Sequence, residues 1–106
     1  MENRQHVRVL VQFRSHFSRK GPIVAGDGKI LDLSPGGCRV TSVIPVPPGV
    51  ELEICIFPED EGNPFIIEGA IVRWARDQEF GLAFSKFRPE VLMQLTHLWR
   101  KRVPPD

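Results

Sequence analysis

The 106-residue sequence has no tyrosine, two tryptophans, two cysteines and two methionines, and its formal net charge is only +1. Each shortage excludes something. Cys38 and Cys55 lack CxxC spacing and sit in apolar, strand-like surroundings, so they are expected as two buried free thiols rather than a disulfide or a metal pair. No apolar run is long enough to span a bilayer, and the opening MENRQHVR has no signal-peptide apolar region, which points to a cytoplasmic protein without membrane insertion. No Ser-His-Asp set, HExxH helix, Walker loop, GxGxxG or close carboxylate pair with a pocket signature occurs. The acids that do cluster, in PEDEG, read as a solvated turn. The reading is therefore of a protein that is not an enzyme and carries neither metal nor cofactor.

What is present describes an ordinary globule. At 42% hydrophobic and 25% charged the chain is neither disordered nor fibrous, and its length suits one domain that buries a core unaided. The small net charge hides an asymmetry: the first twenty residues hold five basic side chains and one acid, leaving nine basic and twelve acidic for the rest. Duplex binding needs a basic face or stripe, and single-stranded nucleic acid needs aromatic platforms beside basic residues. With tyrosine absent and strand charges largely acidic, no DNA or RNA partner is expected. A local site for a small anion fits the asymmetry better.

Hydrophobic periodicity gives strands separated by turns. Val7, Val9, Val11 and Phe13 alternate with polar residues, the period of a half-buried strand. Gly21-Pro22 and Gly26-Asp27-Gly28 then break the pattern before KILDL resumes it. GCRVTSV is a short strand, the prolines from Pro45 to Pro48 mark a loop, and ELEICIF sets Leu52, Ile54 and Ile56 against Glu51, Glu53 and Cys55. FIIEGAIVRWA and FGLAF read as strands paired across ARDQE. Short strands at this spacing point to an antiparallel barrel or sandwich. Only the C-terminus departs from this, because Val91, Leu92, Leu95, Leu98 and Trp99 share one helical face. Pro89 suits the first turn, Glu90 and Arg100-Lys101 complement the helix dipole, and Pro104-Pro105 stops it. Core packing accounts for that stripe more simply than a partner-binding face, and His97 is a helix-surface residue.

Two features remain. ILDLSPGG ends a strand in a turn rich in side chains that bond nearby backbone, with a proline that fixes φ and glycines that accept positive φ. RQHVR places Arg4 and Arg8 just upstream of the first strand. A guanidinium grips phosphate bidentately, pairs with the O6/N7 edge of guanine and stacks on a purine face. Either motif alone is weak. Together, about two dozen residues apart in an all-β chain with one terminal helix, they are far more specific.

That combination resembles the PilZ domain family, bacterial receptors for cyclic di-GMP. RQHVR fits the family's RxxxR, Asp32, Ser34 and Gly37 fit its [D/N]xSxxG, and IVRWARDQEFGLAF is similar to its late hairpin. The resemblance implies a six-stranded antiparallel Greek-key β-barrel with one C-terminal α-helix. It divides the chain into a flexible ligand-binding arm (1–8), a barrel (9–87) and a helix (89–103). It also implies that Arg4 and Arg8 clamp the phosphates and guanine faces of cyclic di-GMP, that Asp32 accepts from a guanine edge, that Ser34 adds a hydroxyl contact, and that Gly37 lets the purine approach the backbone. Asn3, Gly36 and Trp74 are secondary candidates. Asn3 stands where many members carry another basic residue, which bears on affinity and on the number of nucleotides bound.

The function implied is that of a receptor and adaptor, in motility or biofilm regulation, whose arm and surface change on binding and which signals to an unidentified protein partner. With three residues upstream of Arg4, the output is expected to pass through that surface rather than a preceding domain. Two alternatives stay open: a pilus-assembly type of adaptor with this fold and no nucleotide binding, and a small barrel for single-stranded nucleic acid.

Overall fold

A computed structural model describes residues 7–19, 25–59 and 62–104. The elements are β1 (Val9–Arg19), β2 (Ala25–Ser34), β3 (Gly37–Thr41), β4 (Glu51–Phe57), β5 (Phe65–Arg76), β6 (Glu79–Lys86) and α1 (Pro89–Arg100). These six strands, among the described residues, close into a barrel in the order β1-β2-β3-β6-β5-β4, antiparallel at every neighbour. The β4-β5-β6 meander returns to lie beside β3, which is the Greek-key connection.

Alternation builds this wall. In β1 the residues Val9, Val11, Phe13, Ser15 and Phe17 point inward while Leu10, Gln12, Arg14 and His16 point out, because successive side chains of a strand take opposite faces. Phe17, Ile30, Val40, Ile54, Ile67 and Leu82 are essentially without solvent contact. The Phe17 and Phe80 rings meet edge to face at 5.3 Å, an arrangement the ring quadrupoles favour. Closure removes the exposed sheet edges that would otherwise invite aggregation.

Gly26-Asp27-Gly28, expected as a break, lies inside β2. These glycines serve packing: a Cβ on Gly28 would stand 2.6 Å from Val40 Cγ1 and 2.8 Å from the Thr41 carbonyl. The β5–β6 hairpin turns through Asp77-Gln78, with Asp77 left-handed at φ 56°, a conformation aspartate tolerates better than most residues.

Helix α1 buries Leu95 and Leu98 and half-buries Val91 and Trp99. Leu92, placed on the apolar face by periodicity, is 39% exposed and falls outside the contact. The helix stops at Arg100, three residues before its expected end. The N–H groups of Arg102 and Val103 both bond the Trp99 carbonyl, tightening the last turn, and a residue preceding proline avoids the helical region. Contacts run from α1 to β2 and β5, which stand opposite each other in the ring. The helix therefore lies across one barrel end, the end of the β2–β3 turn. Among the described residues no helix is long and apolar enough to cross a membrane.

Candidate functional site

The ILDLSPGG stretch carries β2 out of the core and into β3. Ser34 is 2% exposed, and its Oγ accepts the Gly36 N–H at 3.2 Å, so its hydroxyl is engaged in the turn. Gly36, exposed at the apex, accepts from the Phe84 N–H at 2.9 Å, which ties the turn to β6. Gly37 is buried opposite Ala83, and a Cβ there would collide with the Leu82 carbonyl oxygen. The expected reason for this glycine was purine approach. The geometry gives another, the close passage of β3 against β6.

Asp32 points the other way, onto the outer face. Its Oδ1 accepts from Arg8 Nη1 at 2.8 Å and its Oδ2 from Arg39 Nε at 3.0 Å. Arg39 also reaches Glu79 Oε1 at 3.2 Å. The Asp32 side chain is 13% exposed and that of Arg8 46%, so a partly desolvated carboxylate lies beneath an accessible guanidinium. The hydrogen bonds to Asp32, then those to Glu79, raise the Arg39 pKa above its ordinary value.

The register aligns this cluster. Leu10, Asp32, Arg39, Gly81 and Trp74 are successive cross-strand partners on β1, β2, β3, β6 and β5. Leu10 is 80% exposed. Trp74 lies over Gly81, which has no side chain to hold it off, and the Arg76 guanidinium stands 5.8 Å from the Trp74 ring. Trp74 is thus a surface residue on the same row as Asp32. The outer face presents a charged centre between an aliphatic and an aromatic flank.

Of the sequence candidates, Arg8 and Asp32 are brought into contact, Ser34, Gly36 and Gly37 build the turn beside them, and Trp74 flanks the row. Arg4 and Asn3 lie outside the described residues. The expected arm (1–8) is described only at Val7 and Arg8. Both are attached: Arg8 to Asp32, and the Val7 carbonyl to Trp99 Nε1–H. Sequence reasoning missed Arg39 and Glu79. The available signal was parity, since Arg39 is the lone charge between the inward Cys38 and Val40.

Cys38 is buried beneath the cluster. Burial pushes its thiol pKa far up, the Asp32 charge adds to this and Arg8 opposes it. Cys55 departs from the expected second buried thiol: it is half-buried on the outer face of β4. Its pKa is raised by burial and then by Glu53. Among the described residues no group of His, Cys, Asp and Glu is placed to hold a metal ion.

The chain is thus a closed six-stranded Greek-key β-barrel with a helix across one end and a polar cluster beside the β2–β3 turn. The PilZ domain model matches residues 2–100, and the chain belongs to the PilZ domain family, whose members are regulatory receptor domains rather than enzymes. Among curated proteins none matches the sequence. Solved structures share the fold at low identity. The PilZ domain of YcgR from Escherichia coli, solved with c-di-GMP, superposes with a TM-score of 0.74 at 15% identity, over 95% of this chain and 92% of that one. The PilZ domain of CeSA from a cellulose-synthesizing bacterium gives 0.70 at 14%, over 90% and 96%. The Bacillus subtilis inhibitor of motility, MotI/DgrA, gives 0.74 at 20%, with 96% of this chain covering 52% of that protein.

Proposed function

We propose that this protein is a cyclic di-GMP receptor that performs no chemistry on the nucleotide and passes its occupancy to a protein partner. The observation that carries the reading is the Arg8–Asp32–Arg39 cluster beside the β2–β3 turn. A carboxylate has about four lone-pair directions, and the two arginines take one on each oxygen. Guanine offers an imino and an amino donor on one edge, and Asp32 accepts these with the remaining lone pairs while the arginines hold its plane fixed. Arg8 and Arg4 supply permanent positive charge for the phosphates, with bidentate geometry. Trp74 and Leu10 offer apolar flanks to the bases. Ser34 and Gly37 act through the turn that fixes where Asp32 stands.

Calorimetry at physiological salt with cyclic di-GMP, and in parallel with a short single-stranded oligonucleotide, tests this. Saturable heat with the dinucleotide alone is expected, and chromatography should return it intact. Heat with neither ligand would leave an adaptor without nucleotide binding, heat with the oligonucleotide a nucleic-acid barrel, and recovered linear dinucleotide or GMP an enzyme. Arg4→Ala and Arg8→Ala should each weaken cyclic di-GMP by about tenfold to over a hundredfold, the loss of one charge-assisted bidentate contact.

A further inference from the structure

β4 pairs with β1 only from Arg14 to Arg19, and the β1 register shifts between Leu10 and Phe13. The Val11–Phe13 stretch thus runs past the end of β4 and lines a cleft of about 510 Å³. Three cations line it from three parts of the chain: Arg14 on β1, Lys29 opposite it on β2, and Arg102 just beyond α1. Two of them are held in place. The Arg14 guanidinium stands 5.4 Å from the Phe57 ring. That of Arg102 stands 5.2 Å from the Phe13 ring and donates Nη1–H to the Leu98 carbonyl at 3.0 Å. A guanidinium held over an aromatic ring keeps its positive charge, so such anchoring is compatible with attracting an anion. Gln12 adds an amide, and Glu59 is the one acidic side chain lining the cleft among the described residues.

We propose that this cleft is a second anion site, built for the phosphoryl group of a phosphate ester or diphosphate and separate from the Asp32 cluster. Among the described residues three cations line the cleft against one carboxylate, which favours a multiply charged anion over a carboxylate or a halide. Val11 and Phe13 form an apolar floor beside them, and the volume exceeds what one phosphate fills, leaving room for the organic part of an ester.

The test uses the whole protein without cyclic di-GMP, so its failure is distinct from failure of the receptor reading. Backbone amide shifts are followed while inorganic phosphate and then pyrophosphate are added at constant ionic strength. Saturable shifts are expected over Gln12 to Arg14, Lys29 and Arg102, with pyrophosphate binding more tightly. Arg14→Gln and Lys29→Gln, both exposed positions, should each weaken pyrophosphate about tenfold at unchanged Tm and unchanged cyclic di-GMP heat. Glu59→Gln should strengthen it. Linear, non-saturating shifts, shifts that persist in the Arg14→Gln/Lys29→Gln double variant, or shifts centred on Arg8 and Arg39 would each overturn the assignment.

Discussion

Asp32 accepts from two guanidinium groups, one on each carboxylate oxygen, so substitutions around it separate charge from shape. Asp32→Asn keeps the size and removes the charge, leaving Arg8 and Arg39 without the carboxylate between them. Cyclic di-GMP affinity should fall at least tenfold in calorimetry. Arg39→Gln leaves Asp32 in place but frees one side of it, and a smaller loss of affinity is expected, seen mainly as faster dissociation. Beneath the cluster, Cys38 gives a pH prediction. The thiol ionises near its ordinary value of 9.0 when unfolded, while burial keeps the folded thiol neutral to a much higher pH. The unfolded state therefore loses a proton first, and stability must fall as pH rises above about 9. Cys38→Ala should flatten that decline in Tm measured from pH 8 to 10.5. In the native protein a thiol reagent should modify the half-buried Cys55 first and Cys38 only on unfolding.

Among elements, the β2–β3 turn and the end of α1 set where the cluster stands. Gly37→Ala forces a methyl group against the Leu82 carbonyl between two paired strands and should cost about 1–3 kcal/mol in urea unfolding, the usual range for overpacking. Gly36→Ala, at the exposed apex, should cost far less. Trp99 joins the helix to the segment before β1 through its bond to the Val7 carbonyl. Trp99→Phe keeps most of the ring and removes the donor, which should cost about 0.5–1.5 kcal/mol. Hydrogen exchange should quicken near Val7 and Arg8 in that variant. If it does not, the helix has no hold on the base of the arm.

Across the whole molecule, one core joins all six strands to the helix, and closure of the ring pairs β1 with β4. Losing any strand opens the barrel, so a single cooperative transition is expected. The two tryptophans test it, since Trp74 reports on the β5–β6 hairpin and Trp99 on α1. Trp74→Phe and Trp99→Phe proteins, each left with one fluorophore, should show fluorescence and far-UV circular dichroism transitions that coincide within each protein. Separate midpoints would mean that the helix detaches before the barrel opens. Folding should take milliseconds to seconds, because the β1–β4 pairing closes a long loop.

Strand alternation, the helix face and the two short motifs are local properties, written in residue type and spacing. They were enough for an antiparallel barrel or sandwich with a terminal helix and for a resemblance to the family, and that resemblance in turn implied the Greek-key barrel. Local chemistry could not assign every residue its task. Gly26 and Gly28 read as breakers because glycine loosens an isolated strand, yet here Phe17, Val40 and Ile44 fill the space their side chains would need. Ser34 and Gly37, read as ligand contacts, also have structural tasks the motif did not state: Ser34 bonds Gly36 within the turn, and Gly37 lets β3 pass the Leu82 carbonyl on β6. Arg39 carried no motif of its own and gained its place beside Asp32 from the β2–β3 register, seven residues later in sequence. Pattern sets which way each strand faces. Only closure of the barrel decides which outward side chains stand together, because that depends on register between strands far apart in the chain.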